Sequence, residues 1–278
     1  MLTDAASIGL ALWAVNLSAR PAHGRWTYGF KRAEILSAQA NGLTLLILAA
    51  WFAWEAVRRL IHPHPVQGLL VLGTAVAGIA VNIAAAWLIS RANRTSLNVE
   101  GAFQHILTDL YAFIATAVAG LIIVLTGFGR ADAIAALVVA ALMIKSGYRL
   151  VRESGRIFLE GAPKGLDPDL IGTAMAGRPS VAEVHDLHIW DVTSGMPALS
   201  AHILVDPTGD CHQVRRNLEL LLRNTYRIEH TTLQVDHSGG SSSWGAAAEN
   251  CTDPHGPRHQ PVTRPSPART DTNASPPH

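Results

Sequence analysis

"FQHILTDLYAFIATAVAGLIIVLT", residues 103–126, is the stretch whose reading decides the fold. It is an apolar run long enough to cross a bilayer, which takes about 20 residues of helix. It nevertheless opens with His105 and Asp109, two ionisable residues where each costs about 2.5–3.5 kcal/mol to insert. Their i, i+4 spacing puts both on one helix face, a turn apart. Imidazole and carboxylate together suit a borderline divalent metal ion, and zinc commonly takes four tetrahedral nitrogen or oxygen ligands. The chain begins with an echo of the same letters, "MLTD", which supplies Asp4 at the head of another apolar run.

Three further runs are long enough to span: roughly 35–57, 66–90 and 132–151. The run behind "MLTD", Ala5 to Ala19, is shorter, with only 15 uncharged residues. Hydrophobic residues make up 49% of the 278 and charged residues only 15%, well short of the about one quarter usual in soluble domains. These figures predict an α-helical membrane bundle of five spans. The net charge of +1 implies no nucleic-acid partner. Cys211 and Cys251 form no CxxC pair, so neither a disulfide framework nor a thiolate metal site is expected. The first run carries Asp4 and no basic leader, unlike a cleavable signal.

Basic residues orient the spans. Arg20, Arg25, Lys31 and Arg32 precede the second run, Arg91 and Arg94 follow the third, and Lys145, Arg149, Arg152 and Arg156 close the last. The alternate loops hold only Arg58, Arg59 and Arg130. The richer side is cytoplasmic, and so is everything after the last span. The first run must then enter from outside, which is explained economically by a helix missing upstream.

From Glu160 the character changes. Residues 168–177 and 210–226 read as helices, the second with Val214, Leu218, Leu221 and Leu222 on one face. "AEVHDLHIWDV", "PALSAHILVD" and "HTTLQVDH" read as strands. The order α-β-β-α-β predicts a small open-faced α+β domain. The expected organisation is a membrane domain over 1–158, a cytoplasmic α+β domain over 159–237 and a disordered tail over 238–278, where seven prolines fall and no apolar period survives. The cytoplasmic segment gathers His185, His188, His202, His230 and Asp236. Strict alternation points His185 and His188 to opposite faces, so one of the two belongs to a given cluster; spacing alone leaves the choice open. Asp132 reads as an N-cap or interface residue, and Asn41 and Asn82 as interhelical hydrogen-bonders. The histidines of the tail read as solvated. No HExxH, GxSxG or P-loop is present, so no enzyme is expected.

Together, "MLTDAASIGLALWA", "YGFKRAEILSAQANGLTLL", "NVEGAFQHILTDL", "RLVRESGRIFLEGAP" and "VHDLHIWDVTSGMPALSAHILVD" resemble the cation diffusion facilitator family, in particular its bacterial zinc/cadmium/cobalt-resistance branch. The resemblance covers residues 1–237. It implies a homodimer in the inner membrane, six spans per family member, a cytoplasmic ferredoxin-like (metallochaperone-like) domain, and efflux of Zn²⁺, with Cd²⁺ or Co²⁺ as related ions, in exchange for protons. It implies a transport site of Asp4, His105 and Asp109, with a fourth ligand expected upstream of Met1. It maps a cytoplasmic metal cluster to His185, His202, His230 and Asp236, choosing His185 over His188. In this light "MLTD" is the remainder of an HxxxD motif on a chain lacking its first span. The rival expectation is a non-transporting chain that senses metal and partners an intact transporter.

Overall fold

A computed structural model describes residues 2–63, 66–90, 97–238 and 256–261. The chain forms two compact units, one of residues 1–19 and 33–155, the other of residues 20–32 and 156–278.

The first unit is helical: α1 (Leu2–Ser18), α2 (Ala33–Ile61), α3 (Gly68–Ser90), α4 (Leu97–Thr126) and α5 (Arg130–Phe158), the last continuing into the second unit. Among the described residues four helices, α2 to α5, are long and apolar enough to cross a membrane. Each predicted run matches one of them, but α3 starts two residues into its run, α4 starts before its run and α5 outlasts its own. An intrahelical hydrogen-bond ladder does not stop where apolarity stops, so charged turns such as "YRLVRESGR" extend α5 beyond the hydrocarbon.

Small residues fill the interior of this unit. Along α5, Ala133, Ala140, Gly147 and Ser154 recur every seventh residue, and all four are buried. Gly147 meets Gly42 of α2 so closely that a Cβ at 147 would lie 2.9 Å from the Gly42 carbonyl oxygen. Gly120 of α4 stands in the same relation to Leu72 of α3, its absent Cβ 2.8 Å from the Leu72 amide nitrogen. Such close backbone approach is how helices associate in lipid, where no hydrophobic force drives them together. The large side chains face outward, Trp51, Leu69 and Leu125 among them. Ser154 returns its hydroxyl to the Leu150 carbonyl at 2.7 Å, satisfying a buried donor within its own helix.

The second unit contains α6 (Pro168–Ala176), β1 (Val181–Asp191), β2 (Pro197–Val205), α7 (Cys211–Tyr226) and β3 (His230–His237). This is the predicted α-β-β-α-β order. Asp167 caps α6 by accepting from the amides of Asp169 and Leu170, and Asp210 caps α7 by accepting from those of His212 and Gln213. The sheet runs β1-β2-β3, antiparallel between the first two and parallel between the last two, with α7 as the crossover that a parallel pair requires. Ile171, Met175, Leu199, Ile203, Leu218 and Leu222 fill the core between the helices and one sheet face. The other sheet face carries the polar residues. Residues 20–32, the basic loop, fold with this unit: the Thr193 hydroxyl donates to the Lys31 carbonyl at 2.9 Å, and Arg32 pairs with Glu160 at 3.1 Å. This agrees with the charge count, which puts both on the cytoplasmic side.

The tail departs from expectation over residues 256–261. His259 forms a bridge with Val184 of β1, in a stretch predicted to lack order.

Candidate metal centre

The register of β1 on β2 builds the centre. His185 pairs with His202 and His188 with Ser200. Since Leu199, Ala201 and Ile203 point into the core, Ser200 and His202 stand on the outer face, and so do both partners. The expectation that alternation sends His185 and His188 to opposite faces is therefore corrected. Between them the register slips: Asp186 and Leu187 together oppose Ala201. This β-bulge adds one residue to the strand, so the three-residue step from 185 to 188 ends on the starting face. Asp186 is the extra residue. Its φ of 48° lies in the left-handed region, which Asp tolerates better than most residues.

The bulge brings the Asp186 carboxylate in beside the two imidazoles. Its Oδ2 lies 3.6 Å from His202 Nδ1. The His185 and His202 rings sit edge to face, centroids 5.5 Å apart. One ligand atom from each of His185, Asp186 and His202 falls within 4.8 Å of the others. His185 and Asp186 are buried and His202 half-buried. Asp186, His188, Ser200, His202, Thr232 and Gln234 line an adjoining cavity of about 210 Å³.

Both ring nitrogens of His185 are buried, and neither makes a hydrogen bond among the described residues. Its Nδ1 lies 3.2 Å from Glu183 Oε1, close enough but out of line for one. Buried polar groups are rarely left so, and an imidazole waiting for an ion is one physical reason. Two nitrogens and a carboxylate oxygen are the donor set that zinc and its neighbours accept. Glu183 stands behind Nδ1 within reach of the carboxylate–imidazole hydrogen bond that orients a metal-binding histidine, needing only a small turn to make it.

The other expected residues fall elsewhere. His230 pairs with Ala198, while His202 pairs with Gln234. Four residues along a strand is about 13 Å, so the structure does not bring His230 to the cluster. Its Nε2 instead lies 3.4 Å from the Tyr28 hydroxyl. Asp236 is exposed, two residues beyond Gln234 on the outer face, and accepts from the Gln234 amide at 3.0 Å. In the membrane unit, Asp4 lies on α1 and His105 on α4, but the side chains of both fall outside the described residues. Asp109, a turn beyond His105, is half-buried. Sequence reasoning missed Asp186 and Glu183. A histidine at 185 and another at 188, each flanked by core-type residues Val184 and Ile189, already needs one residue too many for period two, and that was the available signal.

The chain joins a bundle of apolar helices to a small α+β domain that carries a candidate metal cluster. Residues 1–159 match the cation efflux transmembrane domain and residues 163–238 the cytoplasmic domain of cation efflux proteins. The cadmium, cobalt and zinc/H(+)-K(+) antiporter of Bacillus subtilis (strain 168) is 34% identical over 241 residues, 85% of this chain and 77% of that protein. The zinc transporter ZitB of Shigella flexneri is 36% identical over 239 residues, 85% of this chain and 76% of that protein. A solved structure, the metal-bound C-terminal domain of the CzcD transporter, aligns at 30% identity with 26% of this chain and 99% of its own length, at a TM-score of 0.25. The chain belongs to the cation diffusion facilitator, or cation efflux, family. It is a membrane protein with a cytoplasmic C-terminal domain, and its family comprises divalent-metal efflux transporters rather than enzymes.

Proposed function

We propose that this chain exports Zn²⁺ from the cytoplasm in exchange for protons, as a homodimer in the inner membrane, with Asp4, His105 and Asp109 as transport ligands. The observation that carries the reading is the His105–Asp109 pair, one turn apart on a membrane helix of a cation efflux chain. The mixture of imidazole and carboxylate favours zinc over manganese, which prefers oxygen alone. Cd²⁺ and Co²⁺ are accepted by the same donors. The coupling follows from acid–base chemistry. Zn²⁺ binds from the cytoplasm to ionised carboxylates and neutral imidazole. On the far side protons take those same lone pairs and displace it.

The cytoplasmic cluster of His185, Asp186 and His202 is a second site with a regulatory role. Metal bound there tightens the dimer and biases the spans toward transport, because it binds one arrangement better than the other.

The test is Zn²⁺ uptake into everted vesicles energised by a pH gradient. His105→Ala and Asp109→Ala are expected to lower uptake at least about a hundredfold with the chain still inserted, since even the outer partners of metal ligands are worth about 10–100-fold. Uptake persisting in both variants would sink the transport assignment; uptake indifferent to an uncoupler would sink the proton exchange. His185→Ala is expected to blunt the response to rising Zn²⁺ while uptake continues.

A further inference from the structure

The segment "GPRHQP", residues 256–261, is seated on the free edge of β1. An edge strand presents unpaired amides and carbonyls. Here the Val184 amide donates to the His259 carbonyl at 2.9 Å, and the His259 amide donates to the Val184 carbonyl at 2.8 Å. Pro257 and Pro261 flank this single pair, and lacking amides they let the pairing go no further. The His259 side chain is buried, 8% exposed, against Gly172 of α6. A Cβ on residue 172 would stand 2.3 Å from the imidazole Cδ2, so only glycine admits the ring. His259 Nε2 is 3.9 Å from Asp169 Oδ1. The neighbours of His259 both reach Glu183. Gln260 Nε2 donates to its Oε2 at 2.9 Å, and Arg258 Nε lies 3.9 Å from its Oε1. That same Oε1 is the atom 3.2 Å from His185 Nδ1.

We propose that residues 256–261 are a strap that fixes Glu183 behind His185 and so sets the affinity of the cytoplasmic cluster for divalent metal. The proposal rests on the reading of His185, Asp186 and His202 as a metal site. Held at Oε2 by Gln260 and drawn at Oε1 by Arg258, Glu183 keeps that Oε1 beside His185 Nδ1. From there a small turn of the ring makes the Nδ1–H···Oε1 bond, which fixes the tautomer and leaves Nε2 for the ion. Outer partners of this kind are worth about 10–100-fold in metal affinity. Without the strap Glu183 turns to solvent and the ring loses its orientation. Linkage is reciprocal, so bound metal must hold the strap down by the same factor.

The experiment uses the full chain in detergent, a version ending at Ser238, and the double variant Arg258→Ala/Gln260→Ala, which keeps the chain intact. Hydrogen exchange at the Val184 amide reads the docking. Zn²⁺ titration against a competing chelator, with His185→Ala to identify the cluster's share, reads the affinity. Ending the chain at Ser238 is expected to speed Val184 exchange at least about tenfold, and both variants to weaken the cluster's Zn²⁺ about tenfold. In the wild type, Zn²⁺ is expected to slow Val184 exchange. Unchanged exchange on truncation would show that the strap does not dock. Faster exchange with Zn²⁺ affinity held within about twofold would show docking without coupling. Either result overturns the proposal alone. Zn²⁺ binding unaltered in His185→Ala would overturn the cluster and the strap together.

Discussion

The two units of this chain invert one another. In the membrane unit Ala49, Ala75, Ala140 and Gly147 are inside while Trp51, Leu69 and Leu125 face out. In the cytoplasmic unit Ile171, Met175, Leu199, Leu218 and Leu222 are inside, at 2% exposure or less. Water supplies the difference. It drives large apolar side chains out of contact with itself, and lipid does not. In lipid the helices gain from close approach, so the smallest residues mark the contacts. The same contrast governs ligands. In the membrane unit the proposed ligands His105 and Asp109 are spaced by the helical repeat alone, one turn apart. The cytoplasmic unit places its candidate ligands by register and a bulge, which depend on a second strand.

The inversion breaks if size matters alike on both sides. Leu218→Ala, in the cytoplasmic core, is expected to cost about 2–5 kcal/mol, the range for deleting a fully buried leucine. Thermal unfolding followed by the near-ultraviolet signal of that unit checks it. In the membrane unit the damaging change is the opposite one. Gly147→Val must displace the Gly42 backbone from 2.9 Å, and overpacking of this kind costs about 1–3 kcal/mol. Leu125→Ala, at a residue 73% exposed, is expected to leave the helix packing unchanged. Cysteine cross-linking between α2 and α5 separates the two cases: Gly147→Val should lower its yield and Leu125→Ala should not. If Leu125→Ala loosens the bundle as much, the inside-out description is wrong.

How much could be read from sequence follows the same divide. The apolar runs stood out because a span in lipid must be continuous and satisfy its own backbone, so its signal is local. The cytoplasmic element order was legible too, since the alternation of "PALSAHILVD" and the spacing of Val214, Leu218 and Leu221 are local patterns. The cluster was legible only in part. His185 and His202 fall on neighbouring strands by sequence alone; the spacing of Val184 and Ile189 calls for one extra residue, but only the cross-strand partner Ala201 shows that Asp186 takes that place. His230 was grouped with them, though the parallel register of β3 sets it opposite Ala198, beside Tyr28. The seating of His259 on Val184 was hidden, because a Pro-rich composition says nothing about a glycine notch 87 residues away in sequence.

Asp186 tests whether ligand placement by a bulge carries a cost that placement by a helix does not. Its positive φ is held by the surrounding sheet, and αL strain for a non-glycine residue is about 1–2 kcal/mol. Asp186→Gly removes the strain together with the carboxylate. The expected outcome is a cytoplasmic unit slightly more stable without metal, with Zn²⁺ binding at the cluster weakened about tenfold or more. Asp186→Asn keeps a side chain suited to αL but loses the charge, so it should weaken Zn²⁺ binding with little change in stability. Calorimetric melting with and without Zn²⁺ checks both. Stability lost in Asp186→Gly would mean that the carboxylate supports the fold rather than a metal.

The smallest expected effect concerns a carboxylate with a purely local task. Asp210 accepts hydrogen bonds from the amides of Gln213 at 3.0 Å and His212 at 2.9 Å. The Gln213 amide foremost, with the His212 amide and the charges of Arg216 and His212 alongside, holds its carboxyl below the ordinary value of 3.8. A lowered acid binds fewer protons folded than unfolded. Its contribution is therefore whole above pH 3.8 and is lost as pH falls through the folded value. Asp210→Ala should lower the melting temperature of the cytoplasmic unit by a few degrees near neutrality, and the gap from wild type should close in acid below that range. A gap of equal size in strong acid would mean that the residue acts through its shape and not its charge. Within the cytoplasmic unit, then, charge placed for a helix end and charge placed for an ion separate cleanly. The cap answers to protons, whereas the cluster proposed above would answer to metal.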